Sequence, residues 1–434
     1  MLLPALVLAL AIGGAGTAQE KPLSEVIVDF GQRELNVKSM SGFLHSLSGG
    51  QPPDAMILPL KPRLWRGGPS PECLSRIHKF GARLIVVVSD IWRGQQKEKM
   101  PYEDYPAWER LVRQVGRSLK GNDVIYDIWN EPETKLFWRG TPLQFLETFR
   151  RAHNVLRQEL GAAATISGPS IVLWGNAGLG IPQFMDFCRS NRLQVNVLSW
   201  HELGEEREIP EIANHLRYAR KEFIDNPDYA GVGVKEIQVN EIVGSSCHAK
   251  PGAILAWLSY LEAGGADGAC KACWDEEDGS SSCSNFTLDG LLTPKSFRPR
   301  AAWWVYKLYS DGVGSRVAST SSDVRVVCLS SQGSAVSGQA QVLLGCFDPL
   351  GEKDTSPSLT LTLRNLDKLP FVKGEGHFEV TYYRIPNSGS RAFPRLLSER
   401  KGTYPLSADG LVIKLPRLLI HQAYLLLLRW SPSG

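Results

Sequence analysis

The stretch Val124-Ile125-Tyr126-Asp127-Ile128-Trp129-Asn130-Glu131-Pro132, followed by Pro142–Leu160 (PLQFLETFRRAHNVLRQEL), decides the fold. The first part is a short apolar run of β-forming residues that ends in a polar exit and a proline-enforced turn. The second places Phe145, Phe149, His153 and Leu156 at i, i+4, i+8 and i+11, one face of a helix. A strand feeding a helix is the unit of an α/β fold, and the alternation recurs on both sides. Candidate strands are Gly42–Leu47, Ile57–Trp65, Leu84–Ile91, Val124–Trp129, Thr165–Ile171, Val195–Trp200, Lys235–Asn240 and Gly268–Trp274. Helical-period stretches between them are Tyr105–Leu119, Pro142–Leu160, Ile181–Ser190, Glu211–Ile224, Ile254–Ala263 and Arg298–Leu308; the first two connections are only weakly helical. Eight strands joined by mostly helical connectors predict an α/β fold of the (β/α)8 TIM-barrel type, over residues 40–311, rather than an open doubly wound sheet. No glycine-rich dinucleotide fingerprint or phosphate-binding loop follows any of these strands.

Beyond residue 312 the pattern changes. Val324–Leu329, Val342–Phe347, Leu359–Leu363, His377–Arg384 and Ala423–Leu428 alternate or run apolar between Ser/Gly/Pro turns, which predicts an antiparallel β-sandwich over 312–434. Val26–Phe30, within residues 19–39, is expected to join that sandwich. Residues 1–18 read as a signal peptide, with apolar Leu2–Ile12 too short to span a bilayer and small residues Gly16 and Ala18 before a cut at Gln19. The expected location is therefore secreted or lumenal, with a lysosome as the alternative. Among 434 residues, 48 Lys+Arg against 45 Asp+Glu leave a net charge of +3, with 43% hydrophobic and 21% charged residues. A balance of this kind gives no reason to expect nucleic acid or an anionic membrane as partner, and no segment after the leader reads as a membrane span.

Twelve Trp and eight Cys stand out. Export makes the cysteines oxidisable. Cys247, Cys270, Cys273 and Cys283 fall close together and suggest two loops stapled together, and Cys328 and Cys346 suit neighbouring sandwich strands. Cys270-x-x-Cys273 has zinc-ligand spacing, but no second pair follows, so disulfides are expected rather than a metal. Asn285-Phe286-Thr287 is a glycosylation sequon in the same region, expected at the surface.

The chemistry concentrates at two strand ends. Glu131 leaves the fourth candidate strand, and Glu241 ends the seventh, Ile237-Gln238-Val239-Asn240-Glu241-Ile242. In a barrel both ends open on one mouth. Such a pair suits glycoside cleavage with retention, which needs one carboxyl to protonate the leaving oxygen and a second, about 5–5.5 Å away, to attack the anomeric carbon. Glu131 then needs a raised pKa from apolar surroundings, and Glu241 a cation or donors to keep it ionised. No cofactor or metal is required, and the expected partner is a carbohydrate.

Trp129-Asn130-Glu131-Pro132 resembles the acid/base motif of the clan A retaining glycoside hydrolases, and Glu241 resembles their nucleophile. A barrel followed by a β-sandwich is most similar to family 39, the β-xylosidases and α-L-iduronidases. Thr165–Ser170 (TISGPS), Thr381–Arg384 and Leu418–Leu427 resemble segments of that family. The resemblance implies that Asn130 bonds the sugar 2-hydroxyl and that Arg66 keeps the nucleophile ionised. It further implies that His45 and His201 bond sugar hydroxyls or the catalytic carboxylates. Trp65, Trp92, Trp129, Trp174, Trp200 and Trp274 lie at strand ends where indoles stack on sugars, Trp274 foremost; Trp108, Trp257, Trp303, Trp304 and Trp430 are assigned to packing. Asp275–Asp278 reads as a solvated acidic loop. Two departures stand: Asn240 precedes the nucleophile where Thr is common in relatives, and the Cys-rich loop after strand seven, expected to wall the pocket, is not a family feature. Other readings of the same pattern are a non-catalytic carbohydrate-binding barrel and an endo-acting β-glucanase or β-mannanase of the same clan.

Overall fold

The computed structural model describes residues 24–433, except 69, 97–98, 173, 175–177 and 353–355. The expected signal peptide, 1–18, lies outside the described residues. Strand β1 (Ser24–Arg33) comes first, and eight parallel strands follow. These are β2 (Gly42–Leu44), β3 (Leu64–Gly67), β4 (Arg83–Val87), β5 (Val124–Asp127), β6 (Thr165–Ile171), β7 (Val197–Glu202), β8 (Glu236–Ile242) and β9 (Gly268–Lys271). They neighbour one another in chain order, the arrangement of a (β/α)8 barrel. Closure brings β2 against β9 at Gly42, where any Cβ would lie 2.2 Å from the Ala269 carbonyl oxygen.

The strands read as unbroken apolar runs because helices cover the outside while side chains fill the inside. Helix Pro142–Leu160 starts at a capping box, in which Thr141 Oγ1 accepts from the Gln144 amide and Gln144 Oε1 accepts from the Thr141 amide. Its Phe145, Phe149, His153 and Leu156 are all buried, as their period requires. Helix Pro251–Gly264 is apolar nearly all round, because it is clasped on both sides by the barrel and the second sheet.

Two strand expectations need correction. Ile57–Trp65 is not one strand: Asp54–Ile57 and Leu58–Leu60 are helical turns, and β3 begins only at Leu64. Pro59 and Pro62 each remove an amide donor that a central strand would need. Leu84–Ile91 stops at Val87, and Val88–Gln96 is helix. That early stop brings Asp90 to the barrel mouth.

The second region contains β10 (Arg316–Ser321), β11 (Val326–Ser331), β12 (Gln339–Cys346), β13 (Leu359–Arg364), β14 (Gly376–Ile385), β15 (Ser398–Pro405), β16 (Leu411–Leu415) and β17 (Ala423–Pro432). With β1 they form a nine-stranded sheet, ordered β15-β14-β17-β12-β11-β10-β1-β13-β16, around a core of Val, Leu and Phe side chains. The sheet is mixed rather than purely antiparallel, because β1 enters it parallel to β13. Three of its strands carry weak signals. Strand β15, SERKGTYP, is a mostly exposed edge whose charges discourage further pairing. Cys328 and Cys346 are not bridged: Cys328 faces Leu344 and Cys346 faces Val326, so the two thiols are out of register.

Candidate active site

After β5 the chain passes through Ile128, Trp129 and Asn130 and turns at Glu131, whose φ is +45°. The turn is held by the Glu131 amide donating to the Ser170 carbonyl at 3.0 Å and by the buried Trp129 ring. That ring packs edge-on against Trp108 and Trp138 at 5.8 and 5.0 Å. Glu131 Oε1 lies 3.0 Å from His201 Nδ1. Burial raises the Glu131 pKa above the usual carboxyl value, and the Arg66 charge only partly opposes it. His201 is fully buried, and burial lowers its pKa to about 4 despite the nearby Glu241 charge. The imidazole is therefore neutral at ordinary pH and able to share one proton with Glu131.

Glu241 sits in the opposite setting. It lies in β8 at a register irregularity, paired across to His201 of β7. Arg66 Nη1 donates to Glu241 Oε1 at 2.7 Å. The same guanidinium donates from Nε and Nη2 to Asp127 Oδ2 at 2.9 and 2.8 Å, and from Nη2 to Asn130 Oδ1 at 2.7 Å. Burial disfavours its charge, but Asp127 and Glu241 outweigh that and raise the Arg66 pKa. Asp127 also accepts from Ser170 Oγ at 2.7 Å, and the Asn130 amide donates to Ser89 Oγ at 3.1 Å. A buried cation bonded to two carboxylates and an amide is a fixed positive charge beneath the nucleophile position.

Glu131, His201 and Glu241 each bring one ligating atom within 4.8 Å of the others. Such a trio suits a divalent cation by count. Arg66 already places its charge on one Glu241 oxygen, however, and a second cation there would be repelled. The donor set fits proton transfer and nucleophilic attack by a carboxylate better.

A cleft of about 440 Å3 contains both glutamates together with His45, Arg66, Asp90 and Asn130. His45 and Asp90, each half-buried, face one another at 4.0 Å, too far for a direct bond. Burial lowers the His45 pKa, ahead of the opposing pull of Asp90. Trp274 and the Cys273–Cys283 disulfide form one wall, so the Cys-rich loop does border the pocket. Trp274 Nε1 donates to the Val243 carbonyl at 2.9 Å, which fixes its ring.

Of the eight residues singled out from the sequence, seven line this cleft or, in the case of His201, bond to a residue that does. Trp129 does not: it is 1% exposed and buttresses the turn instead of offering a face to a ligand. Trp65 and Trp200 are buried likewise, because a strand-end indole that points outward meets the helix layer, and Trp92 is buried within the helix Val88–Gln96. Trp174 is half-buried and stacks on His215 at 4.7 Å. Cys247 and Cys270 are buried free thiols and the Cys273–Cys283 disulfide closes a single loop, so two loops are not stapled together, and Cys273 is committed to a disulfide rather than a metal. Glu276 of the acidic run is not solvated but buried against Arg300 at 2.9 Å. In the sequon Asn285 is half-buried, and the buried Thr287 hydroxyl donates to Asn285 Oδ1 at 2.6 Å. Three residues beneath the site were not anticipated: Asp127, which holds Arg66, and Ser170 and Asn240, which lie against Asp127. A carboxylate inside the apolar run Val124–Ile128 was the available signal for Asp127.

No protein-family model matches the chain. A β-xylosidase from Caldicellulosiruptor saccharolyticus is 26% identical over 112 residues, 24% of this chain and 22% of that protein, so the match spans under a quarter of its length. Among solved structures, N2152 from Neocallimastix frontalis superposes with a TM-score of 0.72 at 18% identity, covering 94% of this chain and 100% of that one. A glycoside hydrolase family 39 enzyme from Xanthomonas axonopodis pv. citri superposes with a TM-score of 0.66 at 14% identity, covering 98% and 100%. The chain has the family 39 fold. The resemblance read from Trp129–Pro132 and Glu241 therefore extends through both the barrel and the sandwich.

Proposed function

We propose that this chain is a secreted retaining glycoside hydrolase acting on β-linked neutral sugars, with Glu131 as acid/base and Glu241 as nucleophile. The observation that carries the reading is the pair itself. One oxygen of each carboxylate lies within 4.8 Å of the other, in opposite electrostatic settings. That closeness supports the retaining arrangement, in which the two carboxyl groups lie about 5–5.5 Å apart, over the inverting one, which needs about 6.5–9.5 Å. Glu241, ionised against Arg66, attacks the anomeric carbon while Glu131 gives its proton to the departing oxygen. A covalent glycosyl–enzyme forms and the alcohol leaves. Glu131, now a carboxylate, takes a proton from water, which displaces Glu241 and regenerates both groups. His201 keeps Glu131 oriented through this exchange, and Asn130, held by Arg66 and Ser89, is placed to bond the 2-hydroxyl.

The β-xylosidase relative and the family 39 structural neighbour support a glycosidase. A cleft of about 440 Å3 favours one glycoside bound end-on over a long polysaccharide. Export rests on the apolar leader Leu2–Ile12 and on the Cys273–Cys283 disulfide. The presence of both carboxylates weighs against a purely binding role. Glu241→Gln should abolish turnover of aryl β-xylosides and β-glucosides; undiminished turnover would sink the assignment.

A further inference from the structure

The cleft has two chemically different halves. The exit of β2, strand β3 and the helix that follows β4 contribute His45, Arg66 and Asp90, a hydrogen-bonding side. Beyond Asn130 and Glu131, the exits of β5, β6 and β7 contribute Leu136, Phe137, Val172 and Leu203 among the described residues, and Arg93 is the one charged side chain that reaches this side of the lining. Glu131 stands at the head of the apolar side, since Leu136 and Phe137 belong to the loop that follows it. Leu136 is 75% exposed, and the Arg93 guanidinium covers one face of Phe137 at 4.7 Å. A single exposed leucine is ordinary. Four apolar side chains on one wall beside the proton donor are not, because a wall made to seat a second sugar needs donors and acceptors for its hydroxyls.

We infer that the leaving-group side of this site takes an apolar aglycone, an alkyl or aryl alcohol, rather than a further sugar. The inference rests on the assignment of Glu131 as the acid, which fixes that side as the one the departing alcohol occupies. The sugar sits toward His45, Arg66 and Asp90, where Asp90, a half-buried carboxylate 4.0 Å from a neutral His45, accepts from its hydroxyls. The alcohol's hydrocarbon part lies along Leu136, Phe137, Val172 and Leu203 and leaves water as it binds.

The test compares methyl, butyl and octyl β-D-xylopyranosides and β-D-glucopyranosides, below the micelle concentration, with the di- and trisaccharides of the same sugars. Alkyl leaving groups barely differ in basicity, so chain length reads binding rather than bond breaking. The expected result is a rise in kcat/KM of ~10-fold or more from methyl to octyl, as burial of two or three methylenes supplies. Leu136→Asn should reduce the octyl-to-methyl ratio roughly 3–10-fold. An octyl-to-methyl ratio near one, or a trisaccharide that outruns the octyl glycoside, overturns the inference while leaving the glycosidase reading intact. Failure of the folded protein to cleave any of these glycosides, aryl glycosides included, overturns both.

Discussion

The interior of the barrel near its mouth and the interior of the sandwich are both lined by strands, yet they are filled with opposite materials. Around Glu241 the barrel buries Arg66, Asp127, Ser170, Asn240, Lys271 and Asp289. The sandwich fills the equivalent space with Val26, Val28, Val342, Leu344, Leu361, Phe378 and Leu426. Buried polar atoms without partners also gather in the barrel, among them His201 Nε2, Asn240 Oδ1 and Asp289 Oδ1. Burying such groups costs stability unless every one is paired. The barrel accepts that cost where chemistry needs fixed charges in a dry place, and the sandwich supplies apolar packing without it.

The sharpest way to break this contrast is to remove a reacting group. Glu131→Ala should lower kcat/KM on glycosides with poor leaving groups ~10^2–10^4-fold, with azide restoring turnover of activated aryl glycosides. The raised Glu131 pKa keeps the acid form present at higher pH than an ordinary carboxyl, so wild-type activity falls on the alkaline side as this group ionises. That limb should vanish in the variant; a retained limb would assign it to another group.

Next come the fillings themselves. Arg66→Met leaves Asp127 and Glu241 without their cation and should cost about 3–5 kcal/mol of stability along with activity. Leu361→Ala, fully buried in the sandwich, should cost a comparable ~2–5 kcal/mol through its cavity but leave kcat per folded molecule intact. Urea melts and active-site titration separate the two. A fall in kcat for Leu361→Ala as deep as for Arg66→Met would end the proposed division of labour.

The pH dependence of stability sharpens the same point. His201 titrates at about 4 when folded, against 6.5 for the free side chain. Between those values the unfolded chain takes up a proton that the folded one refuses, so stability falls as pH drops through this window. The deficit is complete below pH 4 and approaches about 3 kcal/mol. Comparing urea midpoints at pH 7 and 4.5 should show the fall in wild type and a flatter profile in His201→Phe. The smallest effect belongs to the wall of the cleft. Opening Cys273–Cys283 by a Cys273→Ser, Cys283→Ser double substitution should raise KM roughly 2–5-fold with kcat little changed. Identical kinetics would remove the loop from the binding site.

The barrel was legible because parallel strands buried on both faces leave apolar runs, and helices between them leave a 3.6 period. Val124–Trp129 and Pro142–Leu160 carry both signals plainly. Where prolines interrupt, as across Ile57–Pro62, β-forming composition misled, since composition does not register a missing amide. The sandwich edge β15 was invisible because its role demands charge rather than alternation. Glu131, Glu241, Asn130, Arg66, His45 and His201 were legible as strand-end polar residues. Trp129 was misassigned because position in sequence places a residue at the mouth without saying which way its ring turns.

By itself, the sequence determined the eight-fold alternation of strand and helix and the two carboxylates that lie beyond β5 and near the end of β8. Those follow from local periodicity and from where apolar runs give way to charge. Only the tertiary structure decided that Arg66, Asp127 and Asn240, drawn from three distant strands, form one buried network beneath Glu241. It also decided that the strand-end tryptophans divide between packing and the cleft, and that one half of the cleft is apolar. Side-chain direction and charge pairing depend on barrel closure, which brings together residues far apart in the chain.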